Sequence, residues 1–279
     1  MTIKWFPGHM HSARKQIAEA IPKIDVAIEV LDARLPASSG NPLLAELRQR
    51  KPFVKVLNKA DLADPQVTKS WVRFFEKNDH GLRALALNAG NKGEVARLPK
   101  LCRSLAPQRG KPGRPLRVMV MGIPNVGKST LINTLAGKRI AQVGDRPAIT
   151  RHAQQIDLRN GILLFDTPGI LWPNLEDQQG AYRLAASGAI GDNAMDYHSV
   201  ALFAADLLRQ SYAELLSKRY KLESLPTEAT ELLDEIGRRR GCLGSGGVVD
   251  SYRAAEVLLR DLQSGKIGRV SLETPPVEV

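Results

Sequence analysis

The chain has 279 residues, 43% hydrophobic and 25% charged, with a formal net charge of +11. These proportions are ordinary for a globular protein; no apolar run approaches the roughly 18–20 residues of a membrane span, and two cysteines are too few for a disulfide framework or a zinc site. The charge is uneven, with 28 Lys and Arg against 13 Asp and Glu in residues 1–174, and 12 against 16 in residues 175–279.

A strongly basic half fits a polyanionic partner, and the plainer reading is a solvated surface with generic excess charge. Behind Lys4 there is no apolar stretch, so no secretory signal is expected. A reducing cytoplasm is expected from the cysteine usage.

In chain order, the first apolar run is a strand at 26–31, followed by a helix near 41–50. A second strand at 53–57 leads into Asn58-Lys59-Ala60-Asp61, which fits NKxD. An Asp carboxylate can accept hydrogen bonds from both the imino and exocyclic amino groups of guanine. Adenine lacks that donor pair, so the acid would be left unsatisfied. Asn58 can bind the loop and the base edge, and the stem of Lys59 can cover one ring face. The bare tetrapeptide can also be a helix-capping turn. After a helix around 67–77 comes a strand at 84–87. It ends on Asn88-Ala89, where a backbone N–H can meet the guanine oxygen. A helix near 94–105 follows, then a linker at 107–115 rich in Pro, Gly and basic residues.

The strand 116–121 runs into Gly122-Ile123-Pro124-Asn125-Val126-Gly127-Lys128-Ser129-Thr130, a GxxxxGK[ST] phosphate loop between a strand and a helix. The glycines let N–H groups close around phosphates, which the helix N-terminus also favours. Lys128 reaches the β- and γ-phosphates, and the Ser129 hydroxyl binds Mg²⁺. The polar segment 138–151 contains Thr150, whose hydroxyl can complete the Mg²⁺ shell. Strands at 153–158 and 161–165 pair beside each other. The second ends on Asp166-Thr167-Pro168-Gly169, with a carboxylate for the magnesium and a Gly169 N–H for the γ-phosphate.

Strands alternating with helices imply a mostly parallel sheet covered on both faces. The order of motifs is unusual, because those that read the base precede those that bind phosphate. A sheet tolerates such a permutation when the old termini are bridged, here by 107–115. After Trp172 only helical stripes remain: Val200, Phe203, Leu207, Leu208, Tyr212 and Leu215; Ala229, Leu232, Leu233 and Ile236; Tyr252, Ala255, Leu258, Leu259 and Leu262. The expected fold is therefore α/β, a circularly permuted P-loop domain over 1–174 with a small all-α domain over 175–279.

On these motifs the chain resembles the circularly permuted GTPases of the ribosome biogenesis GTPase A (YlqF/RbgA) type. Trp5-Phe6-Pro7-Gly8-His9-Met10, Asp32-Ala33-Arg34 with Pro36, Asn41-Pro42, and the tail from Gly246-Gly247 to Ile267-Gly268-Arg269 also match that family. The resemblance implies a cytoplasmic, or in organelles mitochondrial, GTPase. It implies a factor that assists late assembly of the large ribosomal subunit and whose helical tail contacts ribosomal RNA. A monomer with no membrane partner is expected. The alternative is a regulatory GTPase or GTP-sensing module for a protein partner, with weak hydrolysis.

Where Ras-like enzymes carry a water-orienting glutamine, this chain has Ile170, which cannot hydrogen-bond water. The resemblance points to His9 as the water-positioning group; a loop residue beside Trp5 is the other reading. It likewise points to Asn125 as a ligand for K⁺ at the phosphates. Two positions depart from the family: Ala148 replaces the usual glycine before Ile-Thr, and Asn88 replaces a serine. The basic run Arg97, Lys100, Arg103, Arg109, Lys111, Arg114 and Arg117 contains no acid and favours RNA over membrane.

Overall fold

The computed structural model describes residues 18–42, 51–79, 81–140, 154–166, 177–191 and 196–276. The helix expected near 41–50 falls almost entirely outside them. The chain divides into two compact units, Trp5–Asn174 with Glu273–Val279, and Leu175–Leu272 with Met1–Lys4.

The first unit is built on β1 (Val26–Asp32), β2 (Phe53–Asn58), β3 (Leu82–Ala86), β4 (Leu116–Met121), β5 (Gln154–Asp157) and β6 (Ile162–Asp166), in the spatial order β3-β2-β1-β4-β6-β5. All pairings are parallel except β5 with β6. Every residue of β1 is buried, as expected of a strand flanked on both edges and covered on both faces. Of the two acids in that run, Glu29 meets Lys55 Nζ of β2 at 2.6 Å and the Asn41 N–H at 2.7 Å, so its charge is compensated where it is buried.

Helix α1 (Pro65–Asn78) starts where Asp64 accepts the N–H groups of Gln66 and Val67, with proline in its first turn. The helix expected at 94–105 is two, α2 (Lys92–Val95) and α3 (Arg97–Leu105), joined at Ala96. Pro99 has no N–H to bond the carbonyl of Val95, so the ladder is interrupted there. The segment read as a linker is a tight turn: Gly110 N–H donates to Arg114 O at 2.9 Å and Arg114 N–H to Lys111 O at 2.9 Å. Helix α4 (Lys128–Ala136) follows β4.

Residues from Glu273 group with this unit although the sequence reading assigned them to the helical tail. The Glu273 carboxylate accepts the N–H groups of Ala37 and Ser38 and the Ser38 hydroxyl, and its carbonyl accepts Trp71 Nε1 at 3.3 Å. Nothing in residue order marks this clip. Glu273→Ala should lower the stability of the sheet unit by about 1–2 kcal/mol. An unchanged urea midpoint at unchanged slope would show that the clip contributes nothing.

The second unit contains α5 (Gln178–Ala186), α6 (Tyr197–Ser211), α7 (Ala213–Tyr220), α8 (Ala229–Arg239) and α9 (Ser251–Gln263). The stripes of α8 and α9 are buried as expected, save Ala229, which is half-buried, and Tyr252, which is 57% exposed. In α6 the buried face is Val200, Ala201, Ala204, Ala205 and Leu208, whereas Phe203 and Leu207 are half-buried. Small side chains let α6 approach α9 and α8 closely, while Phe203 stacks on Tyr182 at 5.3 Å.

Candidate active site

Strand order reverses between β1 and β4, which creates a crevice at their carboxyl ends, the usual ligand position in an open α/β sheet. Four of the sequence motifs emerge there: 58–61 after β2, 88–89 after β3, 122–130 after β4, and Asp166 at the end of β6.

The phosphate loop makes its turn with Gly122 at φ 148°, Asn125 at φ 59° and Gly127 at φ 94°. A Cβ on Gly122 would lie 2.5 Å from the Val30 carbonyl, and one on Gly127 would collide with the Asn58 amide. Gly122 is therefore required by close backbone approach, Gly127 by the approach of the Asn58 side chain, and both by conformation. Lys128 is buried, and its Nζ donates to the Ile123 carbonyl at 2.6 Å. Burial lowers its pKa to about 8, against the opposing attraction of Asp166. Asp166 is buried on β6, and Ser129 and Thr130 are half-buried at the start of α4.

Asn58 is the joint between the two halves of the site. Its Nδ2 donates to the Val126 carbonyl at 2.6 Å, and its Oδ1 accepts the Ala89 N–H at 2.7 Å. Thr134 Oγ1 of α4 then donates to the Ala89 carbonyl at 2.7 Å. The expected Ala89 N–H contact to guanine is thus taken up by Asn58 in this structure. The neighbouring Asn88 N–H donates to Glu94 at 2.7 Å and the Gly90 N–H to Asn88 Oδ1 at 2.8 Å, so the N–H groups of this turn are satisfied by protein side chains.

Lys59 adopts a left-handed conformation at φ 59°, and its Nζ lies 2.9 Å from Asp32 Oδ2. Arg34 grips the same carboxylate twice, Nε at 2.9 Å and Nη2 at 2.7 Å, with both residues buried. Burial alone would raise the Asp32 pKa, but Arg34 and then Lys59 outweigh it and hold the carboxyl well below the usual range. Burial works to lower the Arg34 pKa, and Asp32, with a smaller contribution from Asp61, raises it. Asp61 itself is exposed on the turn. Sequence reasoning quoted Asp32 and Arg34 as a motif without a role; their partnership with Lys59 requires β1 beside β2, which pairs Asp32 with Asn58.

Ser129 and Asp166 supply a hydroxyl and a carboxylate, hard oxygen donors suited to Mg²⁺, which keeps water and phosphate oxygens for the rest of its shell. His9, Thr150 and Gly169 lie outside the described residues, as do Ala148 and Ile170.

A family model described as 50S ribosome-binding GTPase matches residues 117–231. The chain is similar to ribosome biogenesis GTPase A of Bacillus cereus, 44% identical over 99% of this chain and 95% of that protein. It is 32% identical to mitochondrial ribosome-associated GTPase 1 of Mus musculus, over 97% and 90% of the two chains. The GNP-bound structure of YlqF from T. maritima aligns with a TM-score of 0.65 at 30% identity, covering 95% of this chain and 98% of that one.

Proposed function

Because the chain belongs to the ribosome biogenesis GTPase A family, we propose that it hydrolyses GTP on the large ribosomal subunit, late in that particle's assembly, and is stimulated by it. It is a GTPase and a ribosome-assembly factor; the subunit, the timing and the stimulation are our reading. The observation that carries its nucleotide-binding part is the Asn58 joint, which ties the base-reading turn to the phosphate loop by hydrogen bonds of 2.6 and 2.7 Å. The basic character of residues 1–174 supports an RNA-rich partner.

In this reading Asp61 accepts the guanine N–H groups and carries base selection, since the N–H groups of the turn at 88–90 are engaged by the side chains of Asn58, Asn88 and Glu94. Asp32 holds the Lys59 ammonium aside, which leaves the aliphatic stem free to cover a ring face. Lys128 would contact the β- and γ-phosphates, with the N–H groups of 125–130 as further donors and Gly169 as the γ-phosphate donor that the motif supplies. Ser129, Thr150 and Asp166 would hold Mg²⁺, which would neutralise charge on the phosphate oxygens. Asn125 would supply a ligand to K⁺ at the phosphates.

Ile170 cannot orient water, so His9 supplies that function, and docking on the large subunit brings it into position. The protein acts as a monomer in the cytoplasm, with the helical unit against ribosomal RNA. Single-turnover hydrolysis with and without large subunits tests this reading. The parent should be slow alone and accelerated by subunits, with K⁺ preferred over Na⁺; His9→Ala should bind GTP normally and lose most of the acceleration. A His9→Ala protein that responds to subunits as fully as the parent would return His9 to a structural role.

A further inference from the structure

Three separate segments converge at the amino ends of β1, β4 and β6, opposite the nucleotide crevice. The Asp25 N–H donates to Arg117 O at 2.8 Å, and Asp25 Oδ2 accepts the Arg117 N–H at 2.9 Å. Arg109 Nε reaches Asp25 Oδ1 at 3.0 Å. Arg103 donates to the Asn160 carbonyl at 2.8 Å, and Leu116 N–H to Gly161 O at 2.8 Å. Residues 23–25, 103–117 and 157–160 thus form one surface, carrying seven Lys or Arg and two acids. Asp25 is engaged by Arg109 and a backbone N–H, and Asp157 accepts the Arg159 N–H at 2.7 Å. Lys23, Lys111, Arg114 and Arg159 are exposed and, among the described residues, form no ion pair.

We infer that this amino-end face is a second RNA contact, which grips the phosphate backbone of helical RNA independently of nucleotide state. The inference rests on the ribosomal reading above and adds a site to it. Backbone phosphates are the partner because the face offers cations without a stacking platform. The exposed large hydrophobics among the described residues are Leu243, Val248 and Tyr252, none of them on this face. The same lack of an apolar anchor disfavours a lipid surface. A six-residue strand spans about 20 Å, so a duplex held here does not meet the crevice at the other end of β4. The face includes neither the phosphate loop nor the residues around Asp166, so its charge persists through the GTP cycle.

The test is the salt dependence of binding by the full chain and by the Lys111→Ala, Arg114→Ala double variant. The probes are a plain RNA duplex, large ribosomal subunits, and vesicles of phosphatidylserine with phosphatidylcholine, each measured with GDP and with a GTP analogue. These side chains are exposed turn residues, and unchanged GDP affinity verifies that the variant is folded. For duplex RNA, the slope of log K against log salt should become shallower by about 2, and low-salt affinity should fall about tenfold or more, equally in both nucleotide states. If the variant loses duplex binding while neither protein sediments with large subunits, the ribosomal reading fails and the RNA face stands. If the parent sediments with subunits but the variant matches it on RNA in slope and affinity, the face is wrong. A parent that does not bind duplex, a loss seen only on vesicles, or a loss in one nucleotide state alone would also overturn it.

Discussion

Lys128→Ala is expected to reduce GTP affinity or turnover at least tenfold. The ammonium sits inside the loop, donating to the Ile123 carbonyl at 2.6 Å and attracted by Asp166. Its transfer from that carbonyl to phosphate oxygens needs a rotation of the side chain and no rebuilding of the loop. Burial that lowers its pKa to about 8 means the positive charge is held at a cost in the protein alone, a cost that phosphate would relieve. Truncation also leaves the buried Asp166 without its nearby cation, so some loss of stability should accompany the loss of binding. Fluorescent GDP titration and multiple-turnover phosphate release, with circular dichroism to verify folding, measure the effect. A folded variant that binds and hydrolyses like the parent would remove the phosphate loop from the mechanism.

Asp61→Asn should weaken GTP binding by about a hundredfold or more, because an amide presents a donor where guanine needs an acceptor. Xanthine nucleotides, which carry an oxygen in place of the guanine amino group, should gain what guanine loses. Asp61 is exposed on its turn, so the substitution leaves the contacts of Asp32 with Arg34 and Lys59 in place. Stability should change little, which separates a base-reading effect from a folding effect. Titration calorimetry with GDP and xanthosine diphosphate reads both sides of the exchange; equal GDP affinity in parent and variant would leave the base site without its acceptor.

The α/β class, the parallel sheet, the permuted order and the phosphate loop were legible in residue order, because each depends on local spacing. Alternating apolar runs specify strands, and a glycine-rich turn between strand and helix binds phosphate whatever surrounds it. The helix expected around 67–77 starts two residues earlier, at Pro65 behind the capping Asp64. The same local logic overran at 94–105, where apolar spacing favoured one helix and the missing N–H of Pro99 divided it into two. It also overran in α6, where the largest apolar side chains were expected innermost and alanines took that place, because packing distance rather than hydrophobicity decides which face fits between helices.

What tertiary structure alone decided are the contacts between residues distant in sequence. Asn58 reaches Val126 and Ala89, Lys59 leans on Asp32, and Glu273 returns to Ala37 and Ser38. Seven cations from three segments gather at the amino end of the sheet. Hydrogen bonds and ion pairs act over a few ångströms in space and carry no trace of their separation along the chain. They become readable only once strand order has brought their partners together.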